Sequence, residues 1–233
     1  SDTLNKPYEA FLFDAQTSAV FPILPHWHYF VEILYMVEGN AYVEAGEENY
    51  VLEPGDLIVF YPQMTHAIYS TGQFPIRYYV LKFDPAHLNI SGSALPSISR
   101  LIAMASEEKE VSVYLEKEKL DQRKVKQLIQ ESMKELEEKR FGYDVILHSN
   151  YCHLMAEILR VWEQDGFQIK KREKETALNE KFAEVSEYIS QHYQEEISVE
   201  ELAGKFHMSY SYFAAKFKEY YGQTCKEMIL AVR

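Results

Sequence analysis

The alternation of apolar and polar positions divides this chain into two halves of different period. Seven short runs in the first third are rich in Val, Ile, Tyr and Phe: residues 11–15, 30–37, 41–44, 49–52, 57–61, 67–69 and 77–83. Turn sequences separate several of them, among them Glu38-Gly39-Asn40, Ala45-Gly46-Glu47, Glu53-Pro54-Gly55-Asp56 and Ser70-Thr71-Gly72. Short strands at this spacing predict an antiparallel sandwich or barrel. Residues 84–100 hold Pro85, Gly92 and Pro96 among small polar side chains and are expected to form a loop that leaves the sheet.

The period then lengthens. Val125, Leu128, Ile129, Met133 and Leu136 recur at helical spacing within residues 121–140, opposite a face of Lys and Glu. Residues 144–164 carry Leu147, Tyr151, Leu154, Ile158, Val161 and Trp162 on one side, with Val145, Cys152, Met155 and Leu159 on the next. So wide an apolar surface calls for two partners, and a homodimer whose interface includes some of Tyr151, Leu154, Ile158 and Trp162 is expected. Residues 170–175 read as a solvated linker, and Leu178, Phe182, Val185 and Ile189 begin a third helical stretch. The fold class expected is therefore α+β, divided into a barrel over residues 1–100, a helical segment over 101–170 and an all-α unit over 171–233.

Composition narrows the picture further. The hydrophobic share of 47% builds real cores and excludes disorder. No apolar run approaches the roughly 18 residues of a spanning helix, and the first residues lack a secretion signal, so a soluble, cytoplasmic protein with no membrane partner is expected. Cys152 and Cys225 are 73 positions apart, which reads as two reduced thiols. The net charge of −12 is uneven: residues 1–85 carry net −8, whereas residues 203–233 carry net +3, so any contact with a polyanion belongs to the C-terminal end.

Two constellations carry chemistry. In one extended strand His26, His28, Phe30 and Glu32 would share a face, and His66 would close the group from across the barrel. Three neutral imidazoles and a carboxylate suit a divalent metal such as Zn, Ni, Mn or Fe(II), or they hydrogen-bond an organic ligand. The pattern His-x-His-x3-Glu-x6-Gly from His26 to Gly39 resembles the first motif of the cupin family. The segment from Gly55-Asp56 to Pro62-Gln63-Met64-Thr65-His66 resembles the second, without its glycine between proline and histidine and without its later asparagine.

The second constellation lies near the end. Ser198-Val199-Glu200-Glu201 is a capping box, Leu202, Ala203 and Phe206 form a buried side, and His207-Met208 breaks the helix before Ser209 caps another. Phe213, Phe217 and Tyr220 face inward, Ser211, Ala215 and Lys218 face outward, and Gly222 is placed to end the helix. An ordinary helical hairpin would share this pattern. The run Leu202-Ala203-x3-His207-Met208-Ser209-x-Ser211-Tyr212-Phe213-x3-Phe217-Lys218-x3-Gly222 closely resembles the first helix-turn-helix of AraC-type transcriptional regulators. Many members of that family carry a cupin-like sensor, a helical dimerisation segment and two helix-turn-helices joined by a long helix.

The resemblance implies a ligand-responsive, sequence-specific DNA-binding regulator rather than an enzyme. It places Tyr210, Ser211, Ala214 and Ala215 at base-reading positions and Lys216 and Lys218 against phosphate. The sensed molecule would bind at His26, His28, Glu32 and His66, and the eighteen tyrosines would suit a sugar. Residues 227–233 look like the start of the joining helix, where the sequence stops, so a chain cut from a longer protein is expected, with weak DNA binding of its own. The competing reading is a metal-dependent cupin enzyme with a helical oligomerisation tail, supported by the His and Glu spacing alone.

Overall fold

The computed structural model describes residues 7–72, 75–88, 96–108, 111–169, 181–182, 184–185, 188–189, 192, 194–195, 197–221 and 223–232. The expected linker at 170–175, Leu178 and Gly222 lie outside the described residues. The chain divides into two compact units, one ending at Gln168 and the other holding the residues from Ile169 onward.

Nine strands make two antiparallel sheets in the first unit. They are Tyr8–Asp14 (β1), Ile23–His26 (β2), Val31–Glu38 (β3), Ala41–Ala45 (β4), Glu48–Leu52 (β5), Leu57–Phe60 (β6), His66–Ser70 (β7), Arg77–Phe83 (β8) and Tyr114–Leu115 (β9). One sheet runs β1-β8-β3-β6-β9 and the other β2-β7-β4-β5. All seven expected strands are present, while β2 and β9 had too few apolar residues to be seen in the sequence. At the turn before β4, Gly39 sits at φ +73°, and a Cβ there would lie 1.9 Å from the Pro75 carbonyl oxygen, so only glycine fits.

Three helices complete this unit: Ile98–Glu107 (α1), Gln122–Glu138 (α2) and Tyr143–Gln164 (α3). The expected loop at 84–100 is in part wrong, since Pro85–Leu88 forms a 3₁₀ turn and α1 begins at Ile98 under the Ser97 cap. Asp121 caps α2 by accepting from the Lys124 N–H. The first six residues of β3 are buried on both faces because the first sheet packs on the second sheet inside and on helices outside. Tyr151 of α3 donates from its hydroxyl to the Glu9 carbonyl at 2.6 Å, and the Trp162 indole N–H donates to the Ser112 carbonyl at 3.0 Å.

This packing corrects one expectation. Tyr151, Leu154, Ile158 and Trp162 are each at most 1% exposed and are covered by the unit itself, so they do not form a dimer interface. The sequence pattern showed a broad apolar helix but not that the sheet, α2 and flanking segments of the same unit bury it. The apolar residues left exposed at this end are Phe141, Val145 and Ile146.

The second unit holds Val199–Lys205 (α4), Tyr210–Tyr221 (α5) and Cys225–Val232 (α6). Its core is Phe182, Val185, Ile189, Leu202, Ala203, Phe206, Phe213, Phe217, Cys225 and Ile229. Phe182 meets Phe213 and Phe217 edge to face at 5.9 and 5.7 Å.

Candidate functional site

The four residues His26, His28, Glu32 and His66 converge, with one ligand atom of each lying within 4.8 Å of the others. The route differs from the one the sequence implied. β2 ends at His26, residues 27–30 cross to the other sheet, and Glu32 belongs to β3, so no continuous strand sets their parity. His66 does not reach across to His26 but pairs with it in register on the neighbouring strand. The site is thus closed by two sheets, with Glu32 set between Phe60 and Lys82 in the ladder of the other sheet.

Each imidazole is aimed by the backbone. Nδ1 of His26 lies 2.9 Å from the Leu24 carbonyl, Nδ1 of His28 lies 2.9 Å from the Phe30 carbonyl and Nδ1 of His66 lies 2.9 Å from the Met64 carbonyl. A carbonyl only accepts, so all three Nδ1 atoms donate and all three Nε2 atoms turn toward the centre. Phe30 stacks on the His28 ring at 3.8 Å and Phe60 on the His66 ring at 4.0 Å, which fixes both ring planes.

The charges at the centre are asymmetric. Burial pushes the His66 imidazolium down to about 4, against the pull of Glu32, so at neutral pH this ring carries a lone pair on Nε2. That Nε2 is buried and has no hydrogen-bond partner. Burial alone would raise the Glu32 carboxyl, but the His28 hydrogen bond and the Lys82 charge outweigh it and hold Glu32 below the usual carboxylate range. His28 Nε2 and Lys82 Nζ lie 3.0 and 3.4 Å from the same oxygen, Glu32 Oε2. His28 therefore faces an acceptor at both nitrogens, which either a doubly protonated ring or a cation in place of its Nε2 proton satisfies.

An orphaned Nε2, a second Nε2 against a carboxylate and a three-imidazole, one-carboxylate donor set fit a borderline divalent metal. The sequence reading placed Phe30 on the shared face but missed Lys82 and Phe60 as parts of this centre. For Lys82 the signal was present: Tyr78, Val80 and Lys82 alternate on one face of β8, and a lysine on an otherwise apolar strand face is unusual. A groove of about 500 Å³ lies elsewhere, along Arg123, Lys126, Gln127, Gln130, Glu131 and Lys134. All six are polar residues of α2, the solvated face of that helix.

The second constellation forms two capped helices. Ser198 accepts from the Glu201 N–H at 3.1 Å while Glu201 accepts from the Ser198 N–H at 3.2 Å, closing the capping box. His207 adopts φ +57° and turns the chain between α4 and α5. Ser209 caps α5, its oxygen accepting from the Tyr212 N–H at 3.4 Å. Phe213 and Phe217 are fully buried, while Tyr210, Ser211, Ala215 and Lys218 are exposed and Ala214 and Lys216 half-buried. Lys216 is engaged on its own helix, with Nζ 2.6 Å from Glu219 Oε2.

Family comparison matches both halves of the chain. Residues 12–155 match the AraC-like ligand binding domain, and residues 189–230 match the bacterial regulatory helix-turn-helix proteins of the AraC family. No curated protein matches the sequence. Among solved structures, apo ToxT from Vibrio cholerae aligns over 98% of this chain and 99% of its own at 10% identity and a TM-score of 0.44. KdgF from a Halomonas species aligns over 34% of this chain and 72% of its own at 25% identity and a TM-score of 0.30. The Cnp3 cupin domain of Schizosaccharomyces pombe aligns over 37% of this chain at 9% identity and a TM-score of 0.32, and the chain spans 59% of that structure's length.

Proposed function

Since the chain belongs to the AraC family, with its ligand-binding domain and its helix-turn-helix both present, we propose that it is a transcription regulator whose DNA binding responds to a small molecule held in the barrel. The observation that carries this reading is the pairing of a buried, convergent polar centre in one unit with a capped helix pair in the other. On this reading Tyr210, Ser211, Ala214 and Ala215 face base edges in a major groove, and Lys218 with Lys216 lies against phosphate. The two alanines offer methyl contact to thymine and no hydrogen bond, so this unit alone discriminates modestly.

His26, His28, Glu32 and His66 would hold a divalent cation, which supplies a Lewis-acid anchor for an oxygen of the bound effector. The protein's own residues then supply the remaining selectivity: Phe30 and Phe60 stiffen the imidazoles, and the crossing segment 27–30 closes the centre. A sugar is one candidate effector, given the tyrosine-rich composition. The regulator acts in the cytoplasm as a homodimer, with contact through Phe141, Val145 and Ile146 rather than through the buried side of α3.

The donor set also supports a second reading, a metal-dependent cupin enzyme. One experiment separates the two. Purified chain is loaded with Mn(II), Fe(II), Ni(II) or Zn(II), and its affinity for promoter duplexes is measured by fluorescence anisotropy beside a turnover screen on small oxygenated substrates. Duplex binding that Ser211→Trp or Lys218→Glu weakens supports the regulator, whereas turnover without duplex binding establishes the enzyme.

A further inference from the structure

Lys82 is a single lysine on an inward strand face, and its side chain is only 15% exposed. Its ammonium lies 3.4 Å from Glu32 Oε2 and 5.4 Å from the centre of the Phe30 ring. A lysine is rarely drawn into such a place without an anion to meet. Here the anion is the carboxylate that also belongs to the candidate metal set, and the His28 Nε2 shares the same oxygen. One oxygen thus serves two donors, which limits what it offers to either.

The charge count gives this arrangement a consequence. In the loaded site, where a cation takes the place of the His28 Nε2 proton, three neutral imidazoles, Glu32 and Lys82 sum to zero apart from the metal. A divalent cation on the same ligands brings the buried group to about +2, and uncompensated buried charge is strongly unfavourable. Glu32 cannot offset both the cation and Lys82. The ammonium then shares its one anion with the cation while staying next to the centre, a fixed donor for a second anion.

We propose that Lys82 is the specificity-determining residue of the barrel site and that the loaded site takes an organic carboxylate, whose oxygen replaces Glu32 as the partner of the Lys82 ammonium. This rests on the metal-centre reading above and adds the chemical class of the effector to it. A neutral sugar leaves the +2 uncompensated and Lys82 sharing Glu32 with the cation, whereas an acid, including an acidic sugar, resolves both. Cation and carboxylate accordingly bind with positive coupling, and by thermodynamic reciprocity each tightens the other.

The test uses the whole chain and a matched pair of probes, acetate and its neutral isostere acetamide, at equal ionic strength. Mn(II) affinity is measured by calorimetry and by electron paramagnetic resonance of the free ion. Acetate is expected to tighten Mn(II) binding by the wild-type chain about fivefold or more while acetamide leaves it unchanged. Lys82→Met keeps an unbranched side chain of similar length and removes the charge. It is expected to raise the basal Mn(II) affinity about tenfold, because the competitor for Glu32 is gone, and to abolish the acetate effect. Lys82→Arg retains the cation and is expected to keep that effect. Equal responses to acetate and acetamide, or an acetate effect that survives in Lys82→Met, overturn the proposal with the metal centre intact. Failure of the folded wild-type chain to bind stoichiometric Mn(II), Zn(II), Ni(II) or Fe(II) overturns the metal centre itself and the proposal with it.

Discussion

Single side chains decide how much of the local charge is available to a partner. Lys216 and Lys218 are two positions apart on α5, yet Lys216 is held by Glu219 at 2.6 Å and Lys218 stands on the exposed face. Exposed ion pairs are worth little to stability but do offset charge locally. Lys218→Ala is therefore expected to weaken duplex binding several-fold and to flatten its salt dependence, and Lys216→Ala to do so less, as read by anisotropy across a salt series. The two cysteines differ in the same way. Cys225 is buried in the apolar core of the second unit, and desolvation raises its thiol to about 12, above its ordinary value near 9. A raised acid holds its stabilising contribution in full below pH 9 and loses it as pH climbs toward 12. Urea midpoints between these values are expected to fall in the wild type more steeply than in Cys225→Ala. Equal slopes would show that the Cys225 thiol titrates alike in the folded and the unfolded chain.

At the scale of elements, α3 shows what an apolar stripe does and does not reveal. Its buried side is spent inside the unit, where Trp162 meets Tyr61 at 5.9 Å and Phe167 at 6.4 Å and donates to Ser112. Trp162→Ala should destabilise the first unit by about 3–5 kcal/mol in chemical denaturation. That loss is expected without a change in oligomeric state, because the ring faces the protomer's own core. Phe141→Glu is expected to do the reverse: it keeps the urea midpoint within a few tenths of a molar and shifts sedimentation toward monomer. An unchanged sedimentation profile for Phe141→Glu would move the dimer contact elsewhere. Buried polar groups tie this helical layer to the sheet as well. Asp56 accepts from the Glu53 and Lys117 N–H groups and the Tyr114 hydroxyl, all within 2.9 Å, and so fixes the chain entering α2.

For the whole molecule, the governing quantity is the distribution of charge. A total of −12 with a local +3 over residues 203–233 leaves few phosphates to neutralise and little counterion release. Duplex binding by this chain should be micromolar or weaker at ~0.15 M salt and strengthen by about tenfold or more at ~0.05 M. Nanomolar, sequence-selective binding at the higher salt would mean that shape or base contacts outweigh the electrostatic handicap. No described helix is long and apolar enough to cross a membrane.

The strand-to-helix order, the capped helix pair and the identities of the four converging residues are readable without any structure. The element order and the capped pair rest on short-range rules, namely period, turn chemistry and capping, which act over a few positions. Seven strands, the Ser198 cap and the inward Phe213 and Phe217 were all legible in this way. The tertiary structure alone decided how the site is closed. Strand parity placed His28 and Glu32 together by the wrong route, because the chain changes sheets between His26 and Val31 and register with β7, not alternation, sets His26 beside His66. It also brought in Lys82, 50 positions from Glu32, through the pairing of β3 with β8. Pairing between distant strands depends on which surfaces the whole chain can bury at once, and no local pattern encodes that.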